Sequence, residues 1–389
     1  MARWEYVKIG DVCTVERGGS PRPIEKFITN DQNGINWIKI GDTSDSMYIT
    51  STAQKIIPEG MKKSRYVQPG DFILSNSMSF GRPYILKIDG CIHDGWLVLK
   101  DPKNTFDKKF LYYYLSAPTT YEKFKSMAVG GVVNNLNSEM VRCVPVPVPC
   151  KDEQIQIADN LEKIDELISC RKEQLSKLDE LVKARFVEMF GDVIQNNYGW
   201  KQYIFSDITT SRLGKMLDGK QQTGKYEYPY LANFNVKWFR FEITNLNKMD
   251  FSEADRLEFE LHDGDLLVCE GGEIGRCAVW HNEVQPCYFQ KALHRVRCNR
   301  AIILPDYLAW WFKYNCDHNG FASIEGAKAT IAHLPGAKLK MLKVAVPELE
   351  LQKKFSAFVE QTEKTKSEVQ KSLDELETLK KSLMQKYFG

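Results

Sequence analysis

The sequence lacks any long apolar run. Its 389 residues contain no uninterrupted apolar stretch near 18 residues, which is about the length that a membrane-spanning helix needs. The N-terminus also lacks a charged segment followed by an apolar one, since residues 1–5 lead directly into a strand-like segment. We therefore expect a cytoplasmic protein that does not associate with a membrane.

The sequence also lacks the short motifs that mark nucleotide, metal and hydrolase sites. It contains no P-loop G-x-x-x-x-G-K-[ST], no H-E-x-x-H, no EF-hand loop and no G-x-S-x-G elbow. The glycine-rich segment 271–275 does not have the order G-x-G-x-x-G, so it is interpreted as a tight turn. The six histidines have no paired spacing and the ten cysteines have no C-x-x-C spacing. We predict no metal site and no cofactor.

The composition is typical of a folded globular protein. Apolar residues make up 43% of the chain, and 389 residues are enough for two or three domains. The formal net charge of +2 neither demands nor excludes nucleic acid, because acidic helices can offset a basic face elsewhere.

The most informative pattern is a tandem duplication. A proline-punctuated apolar strand, a glutamine-bearing helix and a Phe-Gly signature occur twice, and Pro149, Gln154 and Phe190 return 198 residues later. The other repeated landmarks are Trp4 and Trp200, Pro69-Gly70-Asp71 and Asp263-Gly264-Asp265, and Gly81-Arg82 and Gly275-Arg276. A period this long indicates a domain plus a helix in each copy. The predicted boundaries are 1–150, 151–191, 192–347 and 348–389.

Each copy ends in a long amphipathic helix. Apolar residues recur at steps of three and four on one face, with charged residues on the rest. Two equal seams in one duplicated chain can bury each other, so we expect an antiparallel two-helix coiled coil with an internal pseudo-two-fold axis. The predicted coiled-coil and partner residues are Gln154, Leu161, Ile168, Leu175, Leu178 and Phe190 in the first helix and Gln352, Leu373, Leu376, Leu379 and Phe388 in the second.

The segment before each long helix mixes strands with one aromatic helix. The predicted aromatic helices are residues 107–115 and 305–314. The predicted strand-like runs are residues 67–75, 84–88 and 95–99 in the first copy and 265–269, 277–280 and 291–297 in the second. This mixture predicts an α+β class for both domains.

Loops in both copies combine cations, small residues and amide or hydroxyl groups, a mixture suited to base edges and phosphates. These loops differ between the copies while the flanking framework repeats, although each one taken alone is equally compatible with a solvated turn. The candidate DNA-binding residues are Arg17, Gly19, Ser20, Arg22, Ser75, Asn76, Ser77, Arg82, Asn134 and Asn135 in the first copy and Arg212, Lys215, Lys220, Gln221, Glu270, Arg276 and Lys328 in the second.

The order of these features resembles the specificity (S) subunit of type I restriction-modification systems. The resemblance covers essentially the whole chain. It is carried by residues 17–23, 69–71, 81–82, 135–136 and 146–154 in the first copy and by residues 263–265, 274–276, 333–334 and 346–352 in the second. The second copy departs from it in lacking an acidic residue before Gln352 and a double-glycine loop.

The resemblance implies a non-catalytic protein with two target-recognition domains, each reading one half of a bipartite asymmetric target in double-stranded DNA. The helices are then expected to set the gap between the half-sites and to dock modification (methyltransferase) subunits, two in number. It also implies that those subunits bring S-adenosylmethionine, and that restriction subunits join through the assembled methyltransferase.

Two other classes of protein remain as alternatives. A fused DNA methyltransferase would need its own cofactor loop and an N-P-P-Y-type tetrapeptide, and the sequence has neither. A coiled-coil scaffold without DNA contact would lack the salt-dependent duplex binding that phosphate neutralisation produces.

Overall fold

The computed structural model describes residues 4–76, 81–128, 135–217, 222–322 and 334–389. The chain divides into two compact units. Unit 1 comprises Met1–Glu173 and Gln370–Gly389, and unit 2 comprises Gln174–Val369. Both divisions fall inside a long helix. Each unit therefore contains one mixed domain together with a segment of each long helix.

The first copy builds short strands and helices that lead into the first long helix. The strands are β1 (Tyr6–Lys8), β2 (Thr14–Arg17), β3 (Ile28–Thr29), β4 (Ile35–Ile38), β5 (Tyr48–Ile49), β6 (Lys55–Ile56), β7 (Arg65–Val67), β8 (Phe72–Ser75), β9 (Pro83–Leu86), β10 (Gly90–Ile92), β11 (Trp96–Lys100) and β12 (Pro145–Pro147). The helices are α1 (Ile9–Val12), α2 (Pro58–Met61), α3 (Lys108–Ser116), α4 (Pro118–Ala128), α5 (Ser138–Arg142) and α6 (Lys151–Phe190).

The second copy follows the same plan. Its strands are β13 (Lys201–Ile204), β14 (Thr209–Leu213), β15 (Glu227–Leu231), β16 (Val236–Lys237), β17 (Arg240–Phe241), β18 (Asn247–Asp250), β19 (Leu266–Cys269), β20 (Cys277–Val279), β21 (Tyr288–Phe289), β22 (Leu293–Cys298) and β23 (Lys343–Val346). Its helices are α7 (Phe205–Ile208), α8 (Glu253–Phe259), α9 (Pro305–Asp317), α10 (Gly336–Lys340) and α11 (Leu349–Phe388).

Unit 1 has two main sheets. The sheet that contains β8 has a hydrophobic core on each of its two faces. The strand orders are β2-β11-β8-β9-β5 and β3-β6-β4-β10-β7, and β1 pairs with β12 separately. Side chains alternate between the two faces of a strand. In β8, Phe72 and Leu74 therefore pack with Phe110 of α3, while Ile73 packs with Ile38 and other residues of the second core.

Unit 2 repeats this arrangement with fewer strands. Its main sheets have the orders β14-β22-β19-β20 and β18-β15-β21, and β13 pairs with β23 as β1 pairs with β12. Strand β19 alternates in the same way, with Leu266 and Val268 in the core that contains α9 and Leu267 and Cys269 in the other core. The duplication thus extends to the layers of the domain.

The predicted strand over residues 67–75 is wrong, because a turn interrupts it. Strand β7 ends at Val67 and β8 begins at Phe72. Gly70 between them has a φ of +89°, a region that glycine enters without steric cost, and its amide donates to the Leu86 carbonyl at 2.7 Å. Gly264 makes the same turn in unit 2, with a φ of +84° and a 2.8 Å bond to the Trp280 carbonyl.

The long helices α6 and α11 each have 40 residues and run antiparallel within each unit. In unit 1, Lys380 pairs with Asp165 at 2.5 Å; in unit 2, Lys366 pairs with Asp179 at 2.7 Å. The C-terminal aromatic residues of the two helices lie on the aromatic helices: Phe388 contacts Phe110 and Tyr114 in unit 1, and Phe190 contacts Tyr307 in unit 2.

Most predicted seam residues are buried or half-buried. Leu161, Ile168, Phe190, Leu373 and Phe388 are buried, and Leu175, Leu178 and Leu376 are half-buried. Leu379 is different, because 47% of its surface is exposed; its counterpart Leu181 is 49% exposed. These two leucines occupy equivalent positions outside the buried seam.

The predicted role of Gln154 and Gln352 as coiled-coil or partner residues needs correction, because both side chains are buried inside their own units. Gln154 Oε1 accepts from the Asp107 amide at 2.7 Å, and its Nε2 donates to the carbonyls of Thr105 and Pro149. Gln352 bonds in the same way to the amide of Leu304 and the carbonyls of Ile302 and Pro347. Asp107 and Leu304 precede α3 and α9, so each glutamine ties a long helix to the aromatic helix of its domain.

Candidate nucleic-acid interface

Five candidate residues lie outside the described part of the chain. They are Ser77, Asn134, Lys220, Gln221 and Lys328. The remaining candidates lie in or next to β2, β8 and β9 of unit 1 and β14, β19 and β20 of unit 2, except Asn135, which precedes α5.

The loop after β2 holds the first group of candidates in unit 1. The Gly18 amide donates to the Trp96 carbonyl at 2.9 Å and the Gly19 amide to the Ile92 carbonyl at 3.1 Å. A Cβ atom on Gly18 would lie 2.2 Å from the His93 carbonyl oxygen, so only glycine fits there. The glycines therefore press the loop against the β10–β11 connection and fix where Arg17, Ser20 and Arg22 emerge.

Asp94, in the β10–β11 connection, holds this loop. Its carboxylate accepts from Ser20 Oγ at 2.7 Å and lies 3.5 Å from the Arg22 guanidinium, while its backbone carbonyl accepts from Arg17 Nε at 3.0 Å. The same carbonyl accepts from Asn76 Nδ2 at 2.8 Å. The Ser20 hydrogen bond holds the pKa of the Asp94 carboxyl below its ordinary value. Sequence reasoning missed Asp94, because it belongs to no repeated landmark.

An open cleft of about 670 Å³ lies beside the loop. Its lining combines cations, amides and aromatic rings: Ser20, Arg22, Trp37, Lys39, Gln54, His93 and Asp94 are among the residues. Burial lowers the pKa of His93, so this imidazole favours its neutral form. Such a lining can donate and accept hydrogen bonds at base edges.

Unit 2 builds its loop with the same hydrogen bonds. The Gly214 amide donates to the Leu293 carbonyl at 3.0 Å and the Lys215 amide to the Phe289 carbonyl at 3.2 Å. A Cβ atom on Gly214 would lie 2.3 Å from the Gln290 carbonyl oxygen. Gly214 is therefore the structural equivalent of Gly18. The second copy lacks only the second glycine of the pair, which Lys215 replaces.

A second pair of loops is also equivalent. The amides of Asn76 and Glu270 each donate at 2.9 Å, to the carbonyls of Gly95 and Ala292 respectively. The carbonyls of Asn76 and Glu270 accept from the amides of Leu136 and Leu334, at 3.0 and 2.7 Å. The backbone framework thus repeats while the side chains at matching positions differ.

Arg82 and Arg276 follow equivalent glycines in this framework. Gly81 and Gly275 have φ values of +79° and +75°. The Arg82 guanidinium donates to the Ser44 carbonyl at 3.1 Å and lies 5.3 Å from the Tyr84 ring. The Arg276 guanidinium donates to the Asn233 carbonyl at 3.1 Å and to its Oδ1 at 2.6 Å. Each arginine is held by its own domain before any ligand binds.

Three candidates have structural positions that the sequence did not reveal. Ser75 and Asn76 are buried, and Ser75 Oγ accepts from the Arg82 amide at 3.0 Å. Lys215 Nζ contacts Asp255 at 2.6 Å and the Asp250 carbonyl at 2.7 Å, with 16% of its side chain exposed. These residues hold loops in place, which corrects their prediction as direct DNA ligands.

The other described candidates reach the surface to different degrees. Arg17, Arg22, Asn135 and Arg212 are exposed, and Gly19, Ser20, Glu270 and Arg276 are half-buried. Arg212 pairs with Glu258, and its guanidinium lies 5.9 Å from the Phe259 ring. The structure thus brings Arg17, Ser20 and Arg22 together around Asp94 in unit 1, and Glu270 and Arg276 onto one loop in unit 2.

In residues 4–76, 81–128, 135–217, 222–322 and 334–389, no group of three or more His, Cys, Asp or Glu side chains is placed to hold a metal ion. Across the same ranges, every helix is too short or too polar to cross a membrane.

Comparison with known proteins gives a family match to both halves of the chain. The protein-family model of the type I restriction modification DNA specificity domain matches residues 1–180 and again residues 197–378. The type I restriction enzyme MjaIX specificity subunit of Methanocaldococcus jannaschii is 26% identical over 217 residues. That match covers 54% of this chain and 49% of the relative, so the chain spans about half the length of that protein.

A second relative matches over nearly the whole chain. The type I restriction enzyme EcoKI specificity subunit of Escherichia coli (strain K12) is 18% identical, covering 99% of this chain and 88% of that protein. Two solved structures share the fold. A chain from a study of complex assembly and conformational transition of the type I R-M system has a TM-score of 0.64 and 14% identity, covering 100% and 98% of the two chains. The S subunit from M. genitalium has a TM-score of 0.57 and 15% identity, covering 100% and 96%.

Proposed function

The chain belongs to the family defined by the type I restriction modification DNA specificity domain, and from that premise we propose that it is the DNA-specificity subunit of a type I restriction-modification complex. In this proposal, residues 1–150 and 192–347 are two target-recognition domains, and each binds one half of a bipartite, asymmetric DNA target. The helices at 151–191 and 348–389 set the gap between the half-sites.

The observation that carries this proposal is a repeated backbone framework with different side chains on it. Gly18 and Gly214 hold equivalent loops through equivalent hydrogen bonds, yet the side chains around them differ, since Leu213 stands in the place of Arg17 and Met216 in the place of Ser20. Base edges are distinguished by side-chain donors and acceptors, whereas loop position depends on the backbone. Two domains of this design can bind DNA in the same orientation and prefer different bases.

The proposal also assigns partners. Double-stranded DNA binds the loops, two modification subunits dock on the long helices, and restriction subunits join through the assembled methyltransferase. Leu181 and Leu379 support two docking positions, because they are equivalent by the repeat and both are about half exposed. Chemistry is supplied by these partners in the cytoplasm, and the chain itself acts by binding.

Exchange of one domain tests the proposal. Residues 1–150 are replaced by the matching domain of a relative, and methylated positions are mapped in a host that also carries the modification subunits. We expect one half of the target to change while the other half is kept. The reciprocal exchange of residues 192–347 is the matched control and should change only the opposite half. A change of both halves by either exchange would refute independent reading domains.

Salt dependence of duplex binding separates the proposal from a scaffold without DNA contact. Each neutralised phosphate releases counterions, so the logarithm of the affinity should fall linearly with the logarithm of the salt concentration. Binding that shows no such slope and no target preference would favour the scaffold.

A further inference from the structure

The 3₁₀ turn Asn233–Asn235, which follows β15, carries an exposed aromatic side chain beside the candidate interface of unit 2. Phe234 at the centre of this turn has 55% of its surface exposed. A phenyl ring exposed to water is apolar surface that a contact with a bound partner can cover.

The turn is held firmly on both sides of Phe234. Asn235 is buried, its Oδ1 accepts from the Ala232 amide at 2.9 Å, and its Nδ2 donates to the Glu242 carbonyl at 2.9 Å. Asn233 Nδ2 donates to the Gly271 carbonyl at 2.9 Å. The ring is therefore displayed by a turn whose polar neighbours are already satisfied.

The same turn is joined to the loop that carries Glu270 and Arg276. Arg276 donates to both the carbonyl and the side chain of Asn233, the residue directly before Phe234. Phe234 thus lies beside the loop that carries Glu270 and Arg276, two of the candidate DNA-binding residues. Its position suits an apolar contact within the same groove.

Unit 1 has the same turn without the ring. Asp42 Oδ2 accepts from the Lys39 amide at 2.7 Å, as Asn235 Oδ1 accepts from the Ala232 amide, so Gly41 occupies the position of Phe234. A Cβ atom on Gly41 would meet nothing within 4 Å, so the framework leaves room for a side chain there. The ring is a feature of unit 2 alone at this position of the repeat.

We propose that Phe234 packs against the C5 methyl group of a thymine in the half-site bound by unit 2. This inference rests on the proposed function. The thymine methyl is the apolar feature of the major groove, and the other bases present donors and acceptors there. Phe234 therefore adds an apolar preference that Glu270 and Arg276, as polar side chains, do not supply.

The test uses the chain assembled with its modification subunits and a duplex that carries the mapped target. Each thymine of the unit 2 half-site is replaced in turn by uracil, which lacks only the methyl group. At one position we expect about a fourfold loss of affinity, the value for one buried methyl-sized group. Phe234→Ala should weaken binding to the thymine duplex by at least as much and should bind the thymine and uracil duplexes equally.

Two variants make the result specific. Phe234→Leu keeps an apolar side chain and should retain part of the preference for thymine over uracil. Tyr226→Ala is the matched control, because Tyr226 is 57% exposed just before the opposite end of β15, and it should leave the preference unchanged.

Three outcomes would overturn the inference: a unit 2 half-site without thymine, the same thymine-to-uracil ratio in wild type and Phe234→Ala, or an equal loss of preference in Tyr226→Ala. If Phe234→Ala keeps salt-dependent, target-selective binding and also the wild-type ratio of affinities for the thymine and uracil duplexes, only this inference fails. If the wild-type assembly shows no target selectivity, the proposed function itself fails.

Discussion

At the residue scale, Arg82 and Arg276 are matched cations that their own domains hold in place. Arg→Ala at either position should weaken DNA binding by about 1–3 kcal/mol if the guanidinium contacts a base, or lower the salt slope by about one if it contacts a phosphate. Titrations of the target duplex at several salt concentrations distinguish the two cases.

Arg142 provides the control for this pair. Its side chain is 46% exposed, against 44% for Arg82, and it also donates to a backbone carbonyl, that of Val15. It lies at the C-terminal end of α5 and is not one of the candidate DNA-binding residues, so Arg142→Ala should leave the salt slope unchanged. Unaltered affinity and slope in both Arg82→Ala and Arg276→Ala would make these arginines structural residues only.

The hydrogen bond between Ser20 and Asp94 predicts how the stability contributed by Asp94, which holds the loop after β2, changes as the pH falls. The folded state lowers the pKa of Asp94, chiefly through the Ser20 hydrogen bond. A lowered pKa means that the carboxylate stabilises the fold above its unfolded-state pKa, and that this contribution is lost as the pH falls through the folded-state value. Ser20→Ala should therefore raise the pKa of Asp94, measured by NMR titration of its carboxyl carbon.

Ser46→Ala is the matched control for that titration, because Ser46 Oγ accepts from the Tyr48 amide and does not bond to Asp94. It should leave the Asp94 titration as in the wild type. An Asp94 pKa that is the same in Ser20→Ala and wild type would show that the hydrogen bond does not control this carboxyl.

Sequence reasoning located the candidate loops better than it located the side chains that face solvent. Ser75, Asn76 and Lys215 have the right chemistry for DNA, but their polar atoms bond within the domain. The bonds of Asn76 and Lys215 are to Asp94 and Asp255, 18 and 40 residues away in the sequence, which a local pattern does not contain. The steric need for glycine at positions 18 and 214 was not visible in the sequence either, since it depends on close approach to another loop.

At the element scale, the buried glutamines join each long helix to its domain. Gln154→Ala would leave the Asp107 amide and two carbonyls without these bonds, and Gln352→Ala would do the same at Leu304. An unsatisfied buried polar group costs about 1–3 kcal/mol, so each variant should lose at least that much free energy of unfolding. Urea unfolding measures the loss.

Gln156→Ala is the control for the glutamine variants, because Gln156 lies on the same first turns of α6 but is exposed. Its free energy of unfolding should stay within about 0.5 kcal/mol of the wild type. Equal stability of the three alanine variants would contradict the role given to the buried pair.

The exposed leucines predict where the modification subunits dock. Leu181→Glu and Leu379→Glu should each weaken binding of one modification subunit, because a charge would replace apolar surface, without lowering the free energy of unfolding. Calorimetric titration of the chain with modification subunits measures both affinity and stoichiometry. Leu167→Glu is the control: Leu167 is 48% exposed, but its repeat counterpart is Thr365. Loss of affinity in Leu167→Glu alone would contradict this placement.

Elements with strong local signals were predicted closely. The aromatic helices were expected at 107–115 and 305–314 and are found at Lys108–Ser116 and Pro305–Asp317, because an aspartate cap and a proline mark their starts. The run 67–75 was predicted as one strand although Gln68-Pro69-Gly70-Asp71 separates Val67 from the apolar residues Phe72, Ile73 and Leu74, and the Pro-Gly dipeptide is a local turn signal. The positive φ of Gly70 and its bond to Leu86 depend on a neighbouring strand.

At the scale of the whole molecule, the duplication was visible in the sequence because its landmarks are glycines, prolines and buried aromatics that the fold needs twice. The division of the chain into units was not, because it falls within the helices rather than at their ends. The last part of α11 belongs to unit 1, where Phe388 packs against Phe110, and the last part of α6 belongs to unit 2, where Phe190 packs against Tyr307. Each domain thus binds the end of a helix that begins after the other domain.

This arrangement gives the helices a testable role in spacing. The units divide after Glu173 in α6 and after Val369 in α11. Inserting one heptad near Arg171 and another near Val369 adds about 10.5 Å to each helix and keeps the apolar seam in phase. We expect both half-sites to keep their bases while the gap lengthens by about three base pairs, at roughly 3.4 Å each. Methylation mapping in a host with the modification subunits measures the gap.

A two-residue insertion at the same positions is the contrasting variant. It rotates the seam by about 200°, which exposes leucines and should abolish assembly with the modification subunits. The two insertions separate helix length from helix phase, because only the heptad preserves burial of residues such as Leu161 and Leu373. If the heptad variant assembles and methylates the original target with its original gap, the helices do not set the spacing and serve only to dock partners.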